Sequence, residues 1–423
     1  MAQSDSRERA LLVGVATGDT GGIEASLDEL IRLVDTAGAD TVAVEVQHRD
    51  RLDPATLIGR GKVAELRAEA AAEDVDVVVF DREISPAQER NLSQALNRRV
   101  LDRTAVILDI FAQHATTREG KIQVELAQLA YRLPRLRGKG VVLSRLGGGI
   151  GTRGPGETKL EVDRRRITNR IARLRAQLEE LERARHTKRE RRKRREMAQV
   201  AIVGYTNAGK SSLLNALTGS HALVEDQLFA TLDPTTRRLE LTDGRVVLLS
   251  DTVGFVRHLP HQLIEAFKST LEEATEADLL IHLVDLADED PEAKIAAVRE
   301  VLGEIGADRV PELLVGNKAD VAPRQAVQRF LADHPDAIIV SAVRKSGLES
   351  LTEGLWQELS RRFREVDLLI PFSAGWAAAR VHEAGEVLAE EYRPDGVWFR
   401  ARLSPADAQR LKGYVTGEPL PVP

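Results

Sequence analysis

Residues 204–211 read GYTNAGKS and stand between the apolar run VAIV and the helical pattern SLLNALTG. This is G-x-x-x-x-G-K-[ST] in the strand, loop and helix setting of a phosphate-binding loop. Its glycines let successive backbone N–H groups form a concavity for phosphates at a helix N-terminus. Lys210 is expected to reach the β- and γ-phosphates, and Ser211 to ligate Mg²⁺. The residues predicted to bind nucleotide are Gly204, Tyr205, Thr206, Asn207, Ala208, Gly209, Lys210 and Ser211.

A second box, DTVG at residues 251–254, ends the apolar run VVLLS. That run is expected to form a strand that pairs with the strand before it through an Asp243-Gly244 turn. Asp251 is predicted to hold the magnesium through water, and the Gly254 N–H to meet the γ-phosphate. The nucleotide-binding residues predicted in this box are Asp251, Thr252, Val253 and Gly254.

A third box, NKAD at residues 317–320, ends the run ELLVG and identifies the base. The Asp320 carboxylate can accept from the ring N–H and the exocyclic amine of guanine, a pair of donors that adenine lacks. Asn317 and Lys318 are expected to brace this loop, and SAV (341–343) to offer a backbone N–H to the guanine carbonyl. The residues predicted to bind nucleotide here are Asn317, Lys318, Ala319, Asp320, Ser341, Ala342 and Val343.

The stretch FATLDPTT (229–236) lies between the first two boxes and is the predicted switch segment. Thr231 is the best candidate for closing on the magnesium, with Thr235 and Thr236 as rivals. Phe255 stands where many GTPases place a glutamine that orients water, which predicts slow intrinsic turnover. The segment residues predicted to bind nucleotide are Phe229, Ala230, Thr231, Leu232 and Asp233. The predicted catalytic residues are Lys210, Thr231 and Gly254, and the predicted metal ligands are Ser211 and Thr231.

The predicted fold is α/β and multidomain, because 423 residues exceed one comfortable core. Alternating apolar and amphipathic stretches predict an N-terminal α/β domain over 1–115, closed by a strand at AVILDIF (105–111). Residues 197–365 repeat this alternation around the phosphate-binding loop and predict a P-loop, Ras-like GTPase domain. Residues 366–423 predict a small α/β domain with a helix over 376–390.

Residues 116–196 have another pattern, because apolar residues recur at helical spacing on both sides of a glycine-rich stretch. These residues are Ile122, Leu126, Leu129, Leu133 and Leu136, and then Ile167, Ile171, Leu174, Leu178 and Leu181. The economical arrangement is an antiparallel helical hairpin with residues 147–156, GGGIGTRGPG, at its tip. Pro134 is expected to kink or end the first helix.

Positive charge is concentrated in this hairpin. Residues 157–196 contain 16 Lys and Arg against 8 Asp and Glu, a local charge of +8 in a chain of net charge −6. A basic arm on an acidic body is typical of polyanion binding and predicts contact with RNA. A solvated charged face is the alternative, and the basic run at 188–195 also suits a stiff linker.

The tip contains G-x-G-x-x-G at residues 149–154. In a dinucleotide-binding domain this pattern follows a strand, opens a helix and is succeeded by a second strand. Here a helix precedes it and a long charged helix comes after it. The pattern therefore does not predict a dinucleotide site.

Taken together, these motifs make the chain resemble the HflX GTPases. The resemblance is carried by GYTNAGKSS, DQLFATLDPTTR, DTVGFVRHLP and NKAD, with the upstream GGGIGTRGPGETKLEVDRRRI, and it covers nearly the whole length. Many GTPases share the downstream boxes, whereas the upstream segment discriminates this family.

The resemblance implies an enzyme that binds GTP and GDP, hydrolyses GTP with Mg²⁺ and associates with the large (50S) ribosomal subunit. It implies splitting or rescue of stalled ribosomes, or a role in ribosome biogenesis or stress. The tip at 147–156 would be inserted toward the peptidyl transferase region while the hairpin grips ribosomal RNA. Glycines suit close backbone approach to RNA, and basic side chains suit phosphate contacts.

Two other functions stay open at this point. A tRNA-modification GTPase has a similar loop style, but that family carries a C-terminal cysteine motif and this chain has no cysteine. A GTP-regulated RNA-binding switch would open or close the arm and be reset slowly by hydrolysis, which Phe255 would suit.

Three smaller predictions concern Asn207, two histidines and the location of the protein. Asn207 either binds K⁺ beside the phosphates, as in some related GTPases, or only stabilises the loop. His258 and His261 are expected to be solvent or packing residues of the switch region. The absence of cysteine and of a long apolar run predicts a soluble, cytoplasmic protein, here expected to be a monomer.

Overall fold

The computed structural model describes residues 7–18, 22–136, 159–193, 197–219, 228–229, 231–241, 245–257, 263, 267–361 and 363–416. The glycine tip at 147–156, Ala230, the Asp243-Gly244 turn, His258 and His261 lie outside these residues. By its contacts the chain divides into two compact units. The first comprises Met1–Arg185, Glu225–Asp233 and Arg257–Ser269, and the second comprises His186–Val224, Pro234–Val256 and Thr270–Pro423. No helix within the described ranges is long and apolar enough to cross a membrane.

The first unit is built on a parallel four-stranded sheet with the order β2-β1-β3-β4. Its strands are β1 (Glu8–Ala16), β2 (Ala39–His48), β3 (Val77–Phe80) and β4 (Arg99–Asp102). The connecting helices are α1 (Ile23–Thr36), α2 (Arg60–Ala72), α3 (Pro86–Leu96) and α4 (Arg103–His114). A capping box between Ser85 and Gln88 begins α3 at the Ser85-Pro86 signal. The predicted βα alternation of this domain is therefore confirmed.

One predicted element of this domain is wrong. AVILDIF (105–111) is part of helix α4, and the strand is supplied instead by the four residues of β4 just before it. The Asp102 side chain accepts from the Ala105 N–H at 2.9 Å and thereby caps the helix. Because α4 is buried on most of its faces, its apolar run contains a single exposed polar residue, Asp109, which is too few to reveal helical spacing.

Two helices follow α4: α5 (Arg118–Arg135), which lies in the first unit, and α6 (Lys159–Lys193), which belongs to that unit as far as Arg185. They pack through a cluster in which Ile122, Leu174 and Leu178 are buried, and Arg170 pairs with Glu125 at 2.7 Å. The predicted pair of apolar-striped helices is thus confirmed. Pro134 lies in the last turn of α5, which ends at Arg135, as expected for an interior proline.

The second unit contains a six-stranded sheet with the order β10-β9-β8-β5-β7-β6, in which only the β6–β7 pair is antiparallel. Its strands are β5 (Gln199–Gly204), β6 (Thr235–Glu240), β7 (Val246–Asp251), β8 (Leu279–Asp285), β9 (Glu312–Asn317) and β10 (Ile338–Ile339). Its helices are α7 (Lys210–Thr218), α8 (Lys268–Thr275), α9 (Pro291–Glu304), α10 (Arg324–Asp333) and α11 (Leu348–Ser360). Because β5, β7 and β9 are parallel, their carboxyl ends share one edge of the sheet. The three boxes begin at that edge.

The same unit ends in a three-stranded antiparallel sheet with the order β11-β13-β12. Its elements are β11 (Arg364–Ile370), α12 (Gly375–Ala384), β12 (Glu386–Arg393), β13 (Gly396–Leu403) and α13 (Pro405–Arg410). The helix predicted over 376–390 ends at Ala384, because Gly385 has extended backbone and leads into the strand β12. Arg245 donates to the Gly385 carbonyl at 2.7 Å and stacks 3.8 Å over the Trp356 ring, which joins this sheet to the larger one.

Candidate nucleotide-binding site

The phosphate-binding loop leaves β5 and enters α7 through backbone that only certain residues tolerate. Gly209 has φ +92°, and a Cβ there would lie 2.4 Å from Asn317 Nδ2. Asn207 also has a positive φ of 62°, a conformation that asparagine accepts more readily than most residues. Two reasons therefore favour glycine at position 209. Its backbone is left-handed, and a side chain there would collide with Asn317.

Lys210 is the first residue of α7, and its side chain is buried. Its Nζ donates to the carbonyls of Gly204 at 3.2 Å and Tyr205 at 2.9 Å. Burial lowers the pKa of Lys210 to about 8, and the Asp251 carboxylate opposes this shift. A phosphate group beside this ammonium would favour its charged form further.

Oxygen ligands suited to a hard cation meet next to this lysine. The Ser211 hydroxyl donates to Asp251 Oδ2 at 2.7 Å, and Asp251 is held at the end of β7 beside Ile202 of β5. A hydroxyl and a carboxylate are ligand types that Mg²⁺ takes in nucleotide sites. The residues present therefore fit the predicted magnesium ion. Thr252 turns away from it and donates to the Ile202 carbonyl at 2.7 Å.

The DTVG box closes over the phosphate loop at Gly254. A Cβ on Gly254 would lie 2.7 Å from Thr206 Cγ2 and 3.1 Å from Lys210 Nζ, so only glycine leaves this space open. Phe255 is 1% exposed, and its backbone pairs with the loop, donating to the Gly204 carbonyl at 3.2 Å. The side chain at the position of the missing glutamine is therefore part of the core. Val253 is buried as well.

The guanine box is tied to the phosphate loop by one amide. Asn317 Nδ2 donates to the Ala208 carbonyl at 2.8 Å, and Asn317 Oδ1 accepts from the Ala342 N–H at 3.0 Å. Lys318 has φ 62°, and its ammonium pairs with Asp285 at 2.8 Å. The Ala319 N–H donates to Val340 at 3.3 Å. Asn317 thus links three of the predicted nucleotide-binding segments.

Asp320, the predicted base reader, is exposed at the end of this box. Its Oδ1 accepts from the Ser341 hydroxyl at 2.6 Å, and this hydrogen bond holds the pKa of the Asp320 carboxyl below its usual value. The Ser341 hydroxyl also accepts from the Arg344 N–H at 3.0 Å. Val343 is 77% exposed, so SAV presents one open side chain next to the carboxylate.

The switch segment is divided between the two units. Phe229 and Leu232 are buried, Thr231 is half-buried, and Asp233 accepts hydrogen bonds from Thr116 and Thr117 within the first unit. The rivals of Thr231 are in β6 of the second unit, where the Thr236 hydroxyl shares a 3.0 Å hydrogen bond with Ser250. The Thr236 hydroxyl thus already has a partner on the neighbouring strand, and the switch role of Thr231 stays a prediction.

Comparison with known proteins places the chain in a family. Residues 24–112 match the GTP-binding GTPase N-terminal family, residues 114–192 the GTP-binding GTPase middle region, and residues 199–318 the 50S ribosome-binding GTPase family. GTPase HflX of Caldanaerobacter subterraneus subsp. tengcongensis is 47% identical, over 97% of this chain and 94% of that protein. GTPase HflX of Escherichia coli strain K12 is 42% identical, over 96% of each. The chain belongs to the HflX family of GTPases.

Membership in the HflX family confirms the resemblance that the motifs predicted. It also confirms the multidomain α/β fold with a P-loop GTPase domain and the enzyme class, a GTP hydrolase. Among solved structures, a GTP-binding protein from Sulfolobus solfataricus in complex with GDP is 25% identical, with a TM-score of 0.42 over 84% of this chain and 99% of that one.

Sequence reasoning on this HflX-family chain missed Thr116, Thr117 and Phe111, which hold the switch segment. The signal for Thr117 was present, because a threonine before a charged turn is a helix start, and its hydroxyl accepts from the Gly120 N–H at 3.0 Å. Nothing in the sequence pairs that helix start with Asp233, which is 116 residues away.

Proposed function

We propose that this protein binds GTP and GDP with Mg²⁺ and couples GTP hydrolysis to work on the large ribosomal subunit, splitting or rescuing stalled ribosomes. The observation that carries the nucleotide part is the Asn317 side chain. It bonds both the phosphate loop at Ala208 and the SAV segment at Ala342. Such a link makes phosphate binding and base recognition parts of one site.

The chemistry assigned to the chain is positioning and charge stabilisation. Lys210 supplies an ammonium beside the phosphate loop, and Gly254, whose N–H is proposed to meet the γ-phosphate, has no side chain to crowd that ammonium. Bound Mg²⁺ would neutralise charge on the phosphate oxygens. Ser211 and Thr231 are proposed to hold it directly, and Asp251 through water. Phe255 offers no hydrogen bond to water, so slow turnover without a partner is expected.

We propose that all the residues predicted to bind nucleotide contact it. They are Gly204, Tyr205, Thr206, Asn207, Ala208, Gly209, Lys210 and Ser211; Phe229, Ala230, Thr231, Leu232 and Asp233; Asp251, Thr252, Val253 and Gly254; and Asn317, Lys318, Ala319, Asp320, Ser341, Ala342 and Val343.

The ribosomal part of the proposal is supported by the family match at 199–318, whose description names the 50S ribosome. It is also supported by the local charge of +8 over 157–196. We propose that residues 116–196 form an arm that contacts ribosomal RNA, with its tip at 147–156. The remaining domains are proposed at 1–115, 197–365 and 366–423.

Three further assignments belong to the same proposal. K⁺ beside Asn207 is proposed as the alternative to a purely loop-stabilising asparagine, a role that the φ of 62° at this residue suits. Equal turnover in potassium and in sodium would remove this assignment. A cytoplasmic location and a monomeric state are proposed because the partners are nucleotide and ribosome.

The experiment that tests the proposal measures GTP turnover by the whole protein, alone and with purified large ribosomal subunits. A variant in which residues 147–156 are replaced by a short neutral linker is measured beside it. Strong stimulation of the natural sequence, lost in the variant, is the expected result. Equal turnover in all four conditions would remove the ribosome from the proposal. Light scattering of intact ribosomes under the same conditions reports splitting.

A second candidate is a GTP-regulated RNA-binding switch, and the buried Phe255 side chain favours it. In that function GTP binding alone changes the grip of the arm, and hydrolysis only resets it. A Thr231→Ala variant that still separates subunits once, and fails only in repeated rounds, would favour the switch over hydrolysis-driven splitting.

A further inference from the structure

The carboxylate of Asp233 is bound at the start of helix α5. Its Oδ2 accepts from the backbone N–H groups of Thr116 at 3.0 Å and Thr117 at 2.8 Å, and from the Thr116 hydroxyl at 2.9 Å. The Thr117 hydroxyl donates to its Oδ1. A negative charge in this place also interacts favourably with the helix dipole. We call these four contacts the Asp233 latch.

The latch leaves no space for a larger residue in the first turn of α5. A Cβ on Gly120 would lie 2.4 Å from Asp233 Oδ1 and 3.1 Å from its Cγ. Gly120 has no need of positive φ, and alanine has the higher helix propensity by about 1 kcal/mol. The glycine therefore serves the approach of Asp233 rather than the helix.

A second anchor holds the other end of the same stretch. Phe229 is 2% exposed and packs edge-on against Phe111 of α4, with ring centroids 4.7 Å apart. Phe267, which follows the DTVG region, packs on the same ring at 4.6 Å. Phe229 has φ +59°, a conformation that costs a non-glycine residue about 1 kcal/mol or more and persists only when its contacts impose it.

Thr231 lies between these anchors, two residues from each. Two residues of extended chain span at most about 7 Å, so a movement of Thr231 beyond that range must release Phe229 or Asp233. Phe229, Thr231 and Asp233 all belong to the first unit, as do the helices α4 and α5 that hold the two anchors. The arrangement of Thr231 is therefore governed by α4 and α5.

Helix α5 is fixed at its far end and along its side. Near its C-terminus, Tyr131 donates to Asp102 Oδ1 at 2.9 Å, and Arg135 bonds Asp102 Oδ2 at 3.0 Å. Along its side it pairs with α6 through Glu125 and Arg170. One helix therefore contacts the switch segment, the N-terminal sheet and the second helix of the proposed arm.

We propose that Asp233 is a positioning residue whose latch holds the switch segment on α5 and competes with the arrangement in which Thr231 serves the nucleotide. The proposal rests on the role given to Thr231 in the proposed function. Binding of Mg²⁺ and GTP releases the latch, and the release reaches α5 and α6. Because such coupling is reciprocal, whatever moves α5 also changes the affinity for GTP.

The test breaks the latch from the α5 side, with residues that do not belong to the nucleotide site. Gly120→Ala displaces Asp233, and Gly61→Ala is its control, because Gly61 is a helical glycine of the same unit with nothing within 4 Å of an added Cβ. Thr117→Val removes the hydroxyl, and Thr117→Ser restores it. Thermal unfolding shows that each variant is folded.

The first readout is the ratio of the dissociation constants for GDP and for a non-hydrolysable GTP analogue, both with Mg²⁺. We expect Gly120→Ala and Thr117→Val to raise the relative affinity for the GTP analogue about fivefold or more, the lower range of measured couplings. Gly61→Ala and Thr117→Ser should match the natural sequence. A ratio that is unchanged or lowered in the latch variants would overturn the proposal.

The second readout is amide hydrogen exchange of residues 116–120 in the natural sequence. The GTP analogue with Mg²⁺ should deprotect these amides, and GDP should not, since two of them donate to Asp233. Equal exchange in both states overturns the latch.

The Thr231→Ala variant distinguishes failure of the proposed role of Thr231 from failure of the latch proposal alone. If that variant keeps full Mg²⁺-dependent affinity for the GTP analogue, the proposed role of Thr231 fails and the latch proposal fails with it. If Thr231→Ala loses this affinity while Gly120→Ala leaves the ratio unchanged, only the latch is wrong.

Discussion

Asn317 and Ala208 are 109 residues apart in sequence and are joined by a buried hydrogen bond of 2.8 Å from the side-chain amide to the carbonyl. The same side chain accepts from the Ala342 N–H at 3.0 Å. Base recognition and phosphate binding consequently depend on one residue that need not touch the phosphates. Its removal should affect the whole nucleotide.

Asn317→Ala should weaken GDP binding at least tenfold, as measured by isothermal titration calorimetry. The substitution leaves a buried carbonyl and a buried N–H without their partner, at a cost of about 1–3 kcal/mol for each group. Asn91→Ala is a suitable control, because that asparagine bonds the Ala55 carbonyl on the surface of the first unit. An affinity within twofold of the natural sequence would contradict the linking role of Asn317.

Two glycines at the ends of α7 provide a matched comparison. Gly209 (φ +92°) and Gly219 (φ +63°) both have left-handed backbone, so alanine at either should cost about 1 kcal/mol of stability. Only at Gly209 would the added Cβ collide with Asn317. Gly209→Ala should therefore abolish measurable GDP binding, while Gly219→Ala retains it. Similar affinities in the two variants would remove the steric argument.

Asp320→Asn should exchange the preferred base. The Asp320 carboxylate offers two acceptors and is kept ionised by the Ser341 hydroxyl, whereas an asparagine offers one acceptor and one donor. GDP affinity should fall about a hundredfold, because charge-assisted hydrogen bonds to the base are lost. Xanthosine diphosphate, which has a carbonyl in place of the exocyclic amine, should gain affinity. Loss of both nucleotides would instead indicate a collapsed loop.

Thr231 and Thr236 can be told apart by turnover. Thr231→Ala should reduce magnesium-dependent GTP hydrolysis about tenfold or more, because a proposed cation ligand and transition-state contact is lost. Thr236→Val removes only the hydrogen bond to Ser250, so turnover should stay within twofold and stability should fall by about 1 kcal/mol. If Thr236→Val reduced turnover and Thr231→Ala did not, Thr236 of strand β6 would be the switch threonine.

Glu312 makes the stability of the second unit depend on pH. Burial alone would raise the pKa of Glu312, but hydrogen bonds from His282 and Arg299 lower it to about 2. The depressed pKa contributes stability that is present above the unfolded value of about 4.5 and is lost as pH falls toward 2. Glu312→Gln should therefore cost about 2 kcal/mol at pH 7 and progressively less below pH 4.5.

Urea unfolding at pH 7, 4 and 3 measures this difference. Glu365→Gln is the control, because its contact with Arg400 is long, at 3.9 Å, and exposed. A Glu312→Gln penalty that stays constant over this pH range would contradict the assignment of the shift to His282 and Arg299.

The sequence predicted those parts of the fold that depend on neighbouring residues. The strand, loop and helix around Lys210 follow from local spacing, and the Ser85-Pro86 signal placed the start of α3 correctly. AVILDIF was misassigned because a buried helix and a buried strand show the same apolar run. The helix predicted to Glu390 stops at Ala384, since pairing with β13 overrides the local pattern after Gly385.

The residue types of the site could be predicted from the sequence, but the contacts between distant segments could not. The boxes identify the carboxylates, the lysine and the glycines by type and order. The latch between Asp233 and Thr117 depends on the approach of two segments 116 residues apart, which no periodicity encodes. The same holds for the packing of Phe229 and Phe267 on Phe111.

The ring of Trp356, which lies under Arg245, shares the second unit with Trp376 and Trp398, and these are the three tryptophans of the chain. Intrinsic indole emission therefore reports on the GTPase core and the C-terminal sheet, while the N-terminal sheet and α5 contain no indole. Circular dichroism detects both units. If the melting curves from indole emission and from circular dichroism have different midpoints, the first unit unfolds independently, and no added label is needed to detect this.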